Sequence, residues 1–325
     1  MKLFAVLFLC VFPAAMVNIA EAQQRTNSVF RFLNLETDAR AAALGGHHAA
    51  YIEPDFQLFT QNPAFLESEQ RRNFQISYQN HLSDINTGSA AYFHDFGTYG
   101  KAAATVQFVT YGDLTRFDEA GTDLGSLSAN DLALTLGWGT ALTDQLSYGL
   151  SVSGIYSSLG GFQSTAVSFS GGLFYRLTDR TVLGAALTHA GTQISTFNGV
   201  REPLPLNLAV SAVHKPADLP FRFYLTLQRL TEWGLENGND ESISTAEELF
   251  RHTTFGTELL LGQRVTARIG YDHWLQQQAN TGGRLDAAGF AFGLGIRANR
   301  FDLNLSRTSF SDLGSVVQLS LNASL

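Results

Sequence analysis

Gln145-Leu-Ser-Tyr-Gly-Leu-Ser-Val-Ser-Gly-Ile-Tyr-Ser157 decides the fold. With period two, Leu146, Tyr148, Leu150, Val152, Gly154 and Tyr156 share one face, and Gln145, Ser147, Gly149, Ser151 and Ser153 the other. Such alternation marks a strand with one apolar side. Gly160-Gly161 then permits a turn, after which Val167, Phe169, Leu173, Tyr175 and Leu177 alternate with Ser164, Ala166, Ser168, Ser170 and Arg176. Thr178-Asp179-Arg180 turns the chain again into Val182–His189. The strand, turn, strand rhythm continues from about Asn73 to Leu325, with about fourteen candidate strands, an even number as single-chain bacterial barrels require.

Composition agrees with a barrel. Charged residues make up 15% of the 325, against roughly 25% in an ordinary soluble chain, while glycine (30) and phenylalanine (25) are abundant. The net charge of -8 and the lack of a basic stripe argue against nucleic acid as a partner. Met1–Ala22 reads as a secretory signal peptide: Lys2, an apolar run from Leu3 to Phe12, and Ala20-Glu21-Ala22 before the cut. Its apolar run is shorter than the roughly 20 residues of a membrane helix. The only cysteine, Cys10, lies within it, so neither a disulfide nor lipidation is expected.

Residues 23–72 do not alternate and are too apolar for a loose tail. An Ala-rich run from Asp38 to Leu44, the stop Gly45-Gly46, and Asn62-Pro63-Ala64 ahead of the first strand suggest a hatch inside the lumen of a barrel spanning 73–325. Gly45 and Gly46 are expected at φ > 0 or in close approach to another segment. Connections alternate between short (97–99, 143–144, 178–180, 215–220, 262–264, 298–300) and long (Tyr111–Ala129, Ala190–Pro203, Thr231–His252, Leu275–Leu285). Short periplasmic turns and longer outer loops are what an outer-membrane barrel shows. Tyr148 and Tyr156, eight residues apart on one strand, are about 20 Å apart along the membrane normal at 40° tilt, so each reaches an interface. A soluble β-sandwich would need no such bands.

Catalytic motifs are not found: there is no G-x-S-x-G, H-E-x-x-H or complete G-x-G-x-x-G. His47-His48 lack a third ligand and read as hatch residues bonded to lumen groups. Glu258, Arg268 and Asp272 fall on the inward face and Arg297 near a strand end, which favours a structural ion network over a substrate path. Thr245-Ala-Glu-Glu248 reads as a capping box opening a short helix that ends near Arg251. Asn237–Glu241 is rich in oxygen ligands but fits no complete calcium template. No cofactor is expected. The longest loops carry the candidate contact residues Phe117, Glu236, Asp240 and Phe250, apolar groups bordered by acidic ones.

The hatch residues carry a resemblance. Phe30-Arg-Phe-Leu33, Leu35, Ala39-Arg40-Ala-Ala-Ala-Leu44-Gly45-Gly46 and Asn62-Pro63-Ala64 resemble the N-terminus of the PorV/PorQ family of outer-membrane barrels, itself related to FadL. The Phe-Arg-Phe-Leu entry and the length favour the PorQ branch. The resemblance implies a non-enzymatic barrel of the type IX secretion system of Bacteroidota. It would anchor a surface attachment complex with PorU, PorV and PorZ-like proteins, next to outer-membrane lipid and lipopolysaccharide. The competing readings are a FadL-like channel for a hydrophobic ligand and a barrel enzyme such as an outer-membrane lipase.

Overall fold

A computed structural model describes residues 28–68, 72–82, 84–117, 123–234, 244–280 and 286–324. The expected signal peptide lies outside them. The first seven strands are β1 (Phe74–Asn80), β2 (Asn86–Asp95), β3 (Lys101–Phe117), β4 (Asp123–Ala141), β5 (Leu146–Leu159), β6 (Phe162–Thr178) and β7 (Thr181–Ser195). The second seven are β8 (Asn207–His214), β9 (Phe221–Leu227), β10 (Thr253–Leu261), β11 (Val265–Asp272), β12 (Phe290–Arg297), β13 (Phe301–Ser309) and β14 (Ser315–Ala323). Each strand is antiparallel to its sequence neighbour, and β1 pairs with β14 from Phe74↔Ala323 to Asn80↔Val317. The barrel is closed, which leaves no unpaired sheet edge to satisfy in a medium without water.

The alternation places the apolar series outside. On β5, Leu150, Val152 and Tyr156 are exposed while Ser151, Ser153, Ile155 and Ser157 are buried. Leu132, Leu134 and Leu136 of β4, Phe292, Leu294 and Ile296 of β12, and Leu303 and Leu305 of β13 repeat the outward row. A soluble protein does not expose a contiguous apolar band of this extent, whereas a lipid-facing barrel wall requires one. Trp138 and Tyr148 meet edge to face at 5.6 Å near the short-turn rim, and Trp138 Nε1 donates to the Tyr99 carbonyl oxygen at 3.0 Å. Among the described residues no helix is long and apolar enough to cross a membrane.

Three expected boundaries move. The expected loop Tyr111–Ala129 is largely strand: β3 runs to Phe117 and β4 starts at Asp123, with Thr110 and Asp113 flanking a register shift and Phe117 opposite Asp123. There the consecutive residues Thr115 and Arg116 are both exposed, as expected of a hairpin clear of the lipid with water on both faces. β7 likewise runs on to Ser195, past a bulge at which His189 takes φ 61°. β8 starts at Asn207 and not at Leu204, since Pro203 and Pro205 supply no N–H to a ladder. The Pro203 carbonyl instead accepts from Val29 N at 3.0 Å.

Residues 28–68 fill the lumen. Phe30, just before the 3-10 turn Arg31–Asn34, and Phe32, within it, pack on Val109, Ala133, Ile155, Ala166 and Leu204. Helix α1 (Ala39–Ala43) is capped by Asp38, whose carboxylate accepts from Arg40 N at 2.6 Å. Ala39, Ala41 and Ala43 are wholly buried, and alanine is what lets so short a helix lie flush against the wall. Gly45 (φ 96°) and Gly46 (φ 115°) end it. Gly46 N bonds to Ala41 O and Gly45 N to Ala42 O, the paired bonds of a Schellman stop.

Candidate functional site: the plugged lumen

Arg40 is the centre of the plug. Its Nε and Nη2 donate to the two carboxylate oxygens of Glu258 on β10 at 2.9 and 3.2 Å, and its Nη1 to Glu53 O at 2.6 Å and Asp55 Oδ2 at 3.2 Å. The guanidinium lies over the Tyr51 ring, 5.2 Å from its centroid. Glu258, 1% exposed, also accepts from Arg268 Nε (2.9 Å), Arg222 Nη1 (3.3 Å) and Tyr224 OH (2.7 Å). One wall carboxylate thus serves three guanidinium groups, one of them on the hatch. Burial opposes ionisation of Glu53, yet Arg222 and, behind it, Arg40 and Arg297 hold its carboxyl below the usual range. Sequence reasoning marked Arg40, Glu258 and Arg268, but it missed Glu53, Asp55, Arg222 and Tyr224. The inward phase of Arg222 and Tyr224 between Phe221, Phe223 and Leu225 was the available signal.

Hydrogen bonds fasten the hatch around the circumference. Ala39 N donates to Ser320 Oγ on β14 (2.8 Å), Ala49 N to Ser211 Oγ on β8 (2.7 Å), and Gln57 Nε2 to Thr105 Oγ1 on β3 (3.2 Å). His48 shares one hydrogen bond with Thr226 Oγ1 (2.6 Å) and another with Leu44 O (3.1 Å), as expected of a hatch histidine. His47 Nε2 has no partner among the described residues. Asn62 Nδ2 donates to Ala49 O (2.8 Å) and Leu173 O (3.0 Å), while its Oδ1 accepts from Ala64 N (3.0 Å). Pro63 opens the following 3-10 turn (Pro63–Glu67).

The wall supplies two glycine seats for these stops. A Cβ on Gly172 would lie 1.9 Å from Asn62 Oδ1, and one on Gly270 would lie 2.0 Å from Gly45 N. Glycine at these positions leaves room for the Asn62 side chain and for the Leu44–Gly45 backbone respectively.

Two cavities flank the plug. Toward the long connections lies a vestibule of about 440 Å³, floored by Glu36, Thr37, Gly46, His47 and Gln61. Its wall carries Gln107, Thr188, Asn207, Arg229 and Asp272, with Leu206, Trp274 and Phe310 among the fewer apolar groups. Burial pushes the Glu36 carboxyl up to about 8, only partly offset by the Gln61 amide that donates to it, and burial drives His47 down to about 3. Both groups are therefore neutral at pH 7. Toward the short turns lies a second cavity of about 210 Å³, lined by Glu53, Asp55, Arg72, Arg176, Arg297 and Asn322 among others. Between the two sit Leu44, Tyr51, Leu58, Phe65 and Phe174, members of one buried apolar cluster. Among the described residues there is no group of three or more metal-ligating side chains.

Above the vestibule two long connections form a helical platform. Helix α2 (Thr245–Arg251) is capped by Ser244, whose hydroxyl accepts from Glu247 N at 3.2 Å, so the capping box lies one residue before the expected one. It packs on helix α3 (His273–Ala279), itself capped by Asp272. His273 Nε2 and Glu247 Oε1 lie 3.1 Å apart, and Arg251 lies over the Trp274 ring at 5.8 Å. Arg229 grips Asp272 at 3.1 Å from below. Trp233, Leu249 and Phe250 stay exposed, at 62, 47 and 51%. Of the four expected contact residues Phe250 is on this platform and Phe117 is at the end of β3, away from it in the chain. Glu236, Asp240 and the calcium-like stretch 237–241 lie outside the described residues.

The sequence matches no family model and no curated protein. Solved structures do match. The Pseudomonas putida toluene transporter TodX is 18% identical with a TM-score of 0.58, over 91% of this chain and 98% of that one. The Ralstonia pickettii toluene transporter TbuX is 16% identical with a TM-score of 0.54, over 90% and 98%. A Pseudomonas aeruginosa FadL homologue is 12% identical with a TM-score of 0.47, over 93% and 97%. The class is thereby defined: a closed fourteen-stranded antiparallel barrel with an apolar outer wall, similar in fold to the toluene transporters TodX and TbuX. The PorV/PorQ assignment finds no family match and stays a proposal.

Proposed function

We propose that this chain is a non-enzymatic outer-membrane barrel that keeps its lumen shut and uses its outer rim to hold a soluble surface partner. The complex intended is a type IX secretion attachment complex with PorU, PorV and PorZ-like proteins. The observation that carries this reading is the α2–α3 platform, in which long connections fold on one another and leave Trp233, Leu249 and Phe250 uncovered. Aromatic groups bordered by charge are the usual centre of an interface. The ion-locked hatch suits a closed support better than a passage for an apolar molecule, although the vestibule surface is divided about evenly between polar and apolar atoms. In the test, residues 231–252 are replaced by a short turn with all strands intact, and the outer-membrane complex is purified from detergent. Loss of the surface partner with an intact barrel is expected; retention at the wild-type level overturns the reading.

A second reading, a FadL-like channel for a hydrophobic ligand, draws on the likeness to the toluene transporters and on the vestibule volume of about 440 Å³. Uptake of a radiolabelled monoaromatic hydrocarbon into liposomes carrying the wild-type barrel would favour it. Uptake no faster than through empty liposomes would remove it.

A further inference from the structure

The short-turn cavity is built unlike the rest of the lumen. Each of its acids is already engaged: Glu53 with Arg222 (3.2 Å), Asp55 with Arg40 (3.2 Å) and Asp302 with Arg72 (3.4 Å). Arg297 reaches only the same acids, at 3.8 Å to Glu53 and 3.6 Å to Asp302. Arg176, on the inward face of β6, has no ion pair among the described residues. With Glu258 and its three arginines included, five guanidinium groups pair with four carboxylates, Arg176 pairs with none of them, and the Asp38 carboxyl stands beside Arg40. The cluster therefore carries an excess of positive charge at the short-turn mouth, where the Glu53 and Arg297 side chains stay partly exposed.

Asn322 supplies the second, independent observation. Its side chain lines this cavity on β14, the residue is 1% exposed, and neither its Nδ2 nor its Oδ1 has a hydrogen-bond partner among the described residues. Leaving both ends of a buried amide unpaired forfeits its hydration with nothing gained in exchange, so such a residue is normally explained by what binds it. A ligand that satisfies it must present an acceptor to Nδ2 and a donor to Oδ1, and must be anionic to suit Arg176 and Arg297. A hydrogen phosphate or phosphomonoester has all three properties: negative charge, acceptor oxygens and a P–OH. Its oxygens also match the planar fork of arginine.

We propose that the cavity lined by Arg176, Arg297 and Asn322 at the short-turn mouth of the lumen is a phosphate-binding site. The site is separate from the vestibule and the platform, and it holds whichever functional reading is correct. The phosphoryl group could be that of a free ion or of a lipid whose headgroup is a phosphomonoester, and the experiment separates the two.

Purified full-length barrel in non-ionic detergent is titrated with sodium phosphate at constant ionic strength and pH 7 and followed by calorimetry. Saturable binding is expected in the wild type. Arg176→Gln should weaken it about tenfold or more, the worth of a charge-assisted hydrogen bond, and Asn322→Leu should weaken it by a smaller factor. Arg201→Gln, in the exposed connection before β8, should leave it unchanged. Circular dichroism and heat-modifiable gel mobility report whether each variant still folds. Native mass spectrometry supplies the other arm: a retained phospholipid displaced by phosphate identifies a headgroup, whereas binding without retained lipid identifies the free ion. Absence of saturable phosphate binding to the wild type, or equal binding by wild type and folded Arg176→Gln, overturns the proposal.

Discussion

At the scale of single residues, Glu258 decides whether the hatch stays. Among the described residues it is the only carboxylate that Arg40, Arg222 and Arg268 all reach, and removing it would leave like charges together in a low-dielectric lumen. Breaking one partner out of a buried ion network costs roughly 3–5 kcal/mol. Glu258→Gln should therefore raise hydrogen exchange at Ala41–Leu44 by orders of magnitude while the strands remain protected; unchanged exchange would show that the network is dispensable. Glu36 carries a pH signature. Its folded pKa, raised to about 8, lies above the unfolded carboxylate value, so its contribution is complete below about pH 4.5 and is lost as pH rises through 8. His47 has the opposite sign: its folded value of about 3 gives a contribution present above about pH 6.5 and lost on acidification toward 3. Hatch protection measured from pH 4.5 to 9 should decline toward the alkaline end, and Glu36→Gln should flatten that decline. A wild-type profile with no alkaline decline would contradict the burial of this carboxyl.

At the scale of elements, the stops matter more than the runs. α1 has only five residues and cannot persist alone; its Asp38 cap and its Gly45-Gly46 stop hold it against the wall. Replacing both glycines by Val would strain φ values near 100° and drive a Cβ at position 45 to 2.9 Å from Thr254 and 3.0 Å from Tyr271 N. The expected result is a barrel of native strand content whose hatch is cut by added protease, and full resistance would contradict the seating. The positive φ of these glycines was legible because an Ala-rich run followed by paired glycines has few other readings. The strands were legible wherever lipid lay on one side and the polar lumen on the other. β3 and β4 beyond Thr110 and Asn130 were not legible, because that environmental contrast ends there. The latch was only half legible: phase placed Glu258 and Arg268 inward, but nothing local joins Arg40 to a carboxylate 218 positions away. Asn322 gave no signal, since an inward Asn is ordinary and its lack of a partner exists only in three dimensions.

At the scale of the whole molecule, a closed wall, a pinned hatch and a helical platform point to a barrel shut at rest. The apolar cluster of Leu44, Tyr51, Leu58, Phe65 and Phe174 lies between the two cavities, and the hatch is tied to the wall on β1, β3, β8, β9, β10 and β14. Orientation follows from loop asymmetry, with the platform outside. Single cysteines near Phe250 should accordingly react with an impermeant label in intact cells and those at Asp179 should not; the reverse pattern would invert the topology. The most direct test of the shut lumen is single-channel current across a planar bilayer, wild type beside Glu258→Ala. The wild type should insert without steady conductance and the variant should show open events, whereas steady porin-like current through the wild type would contradict the account.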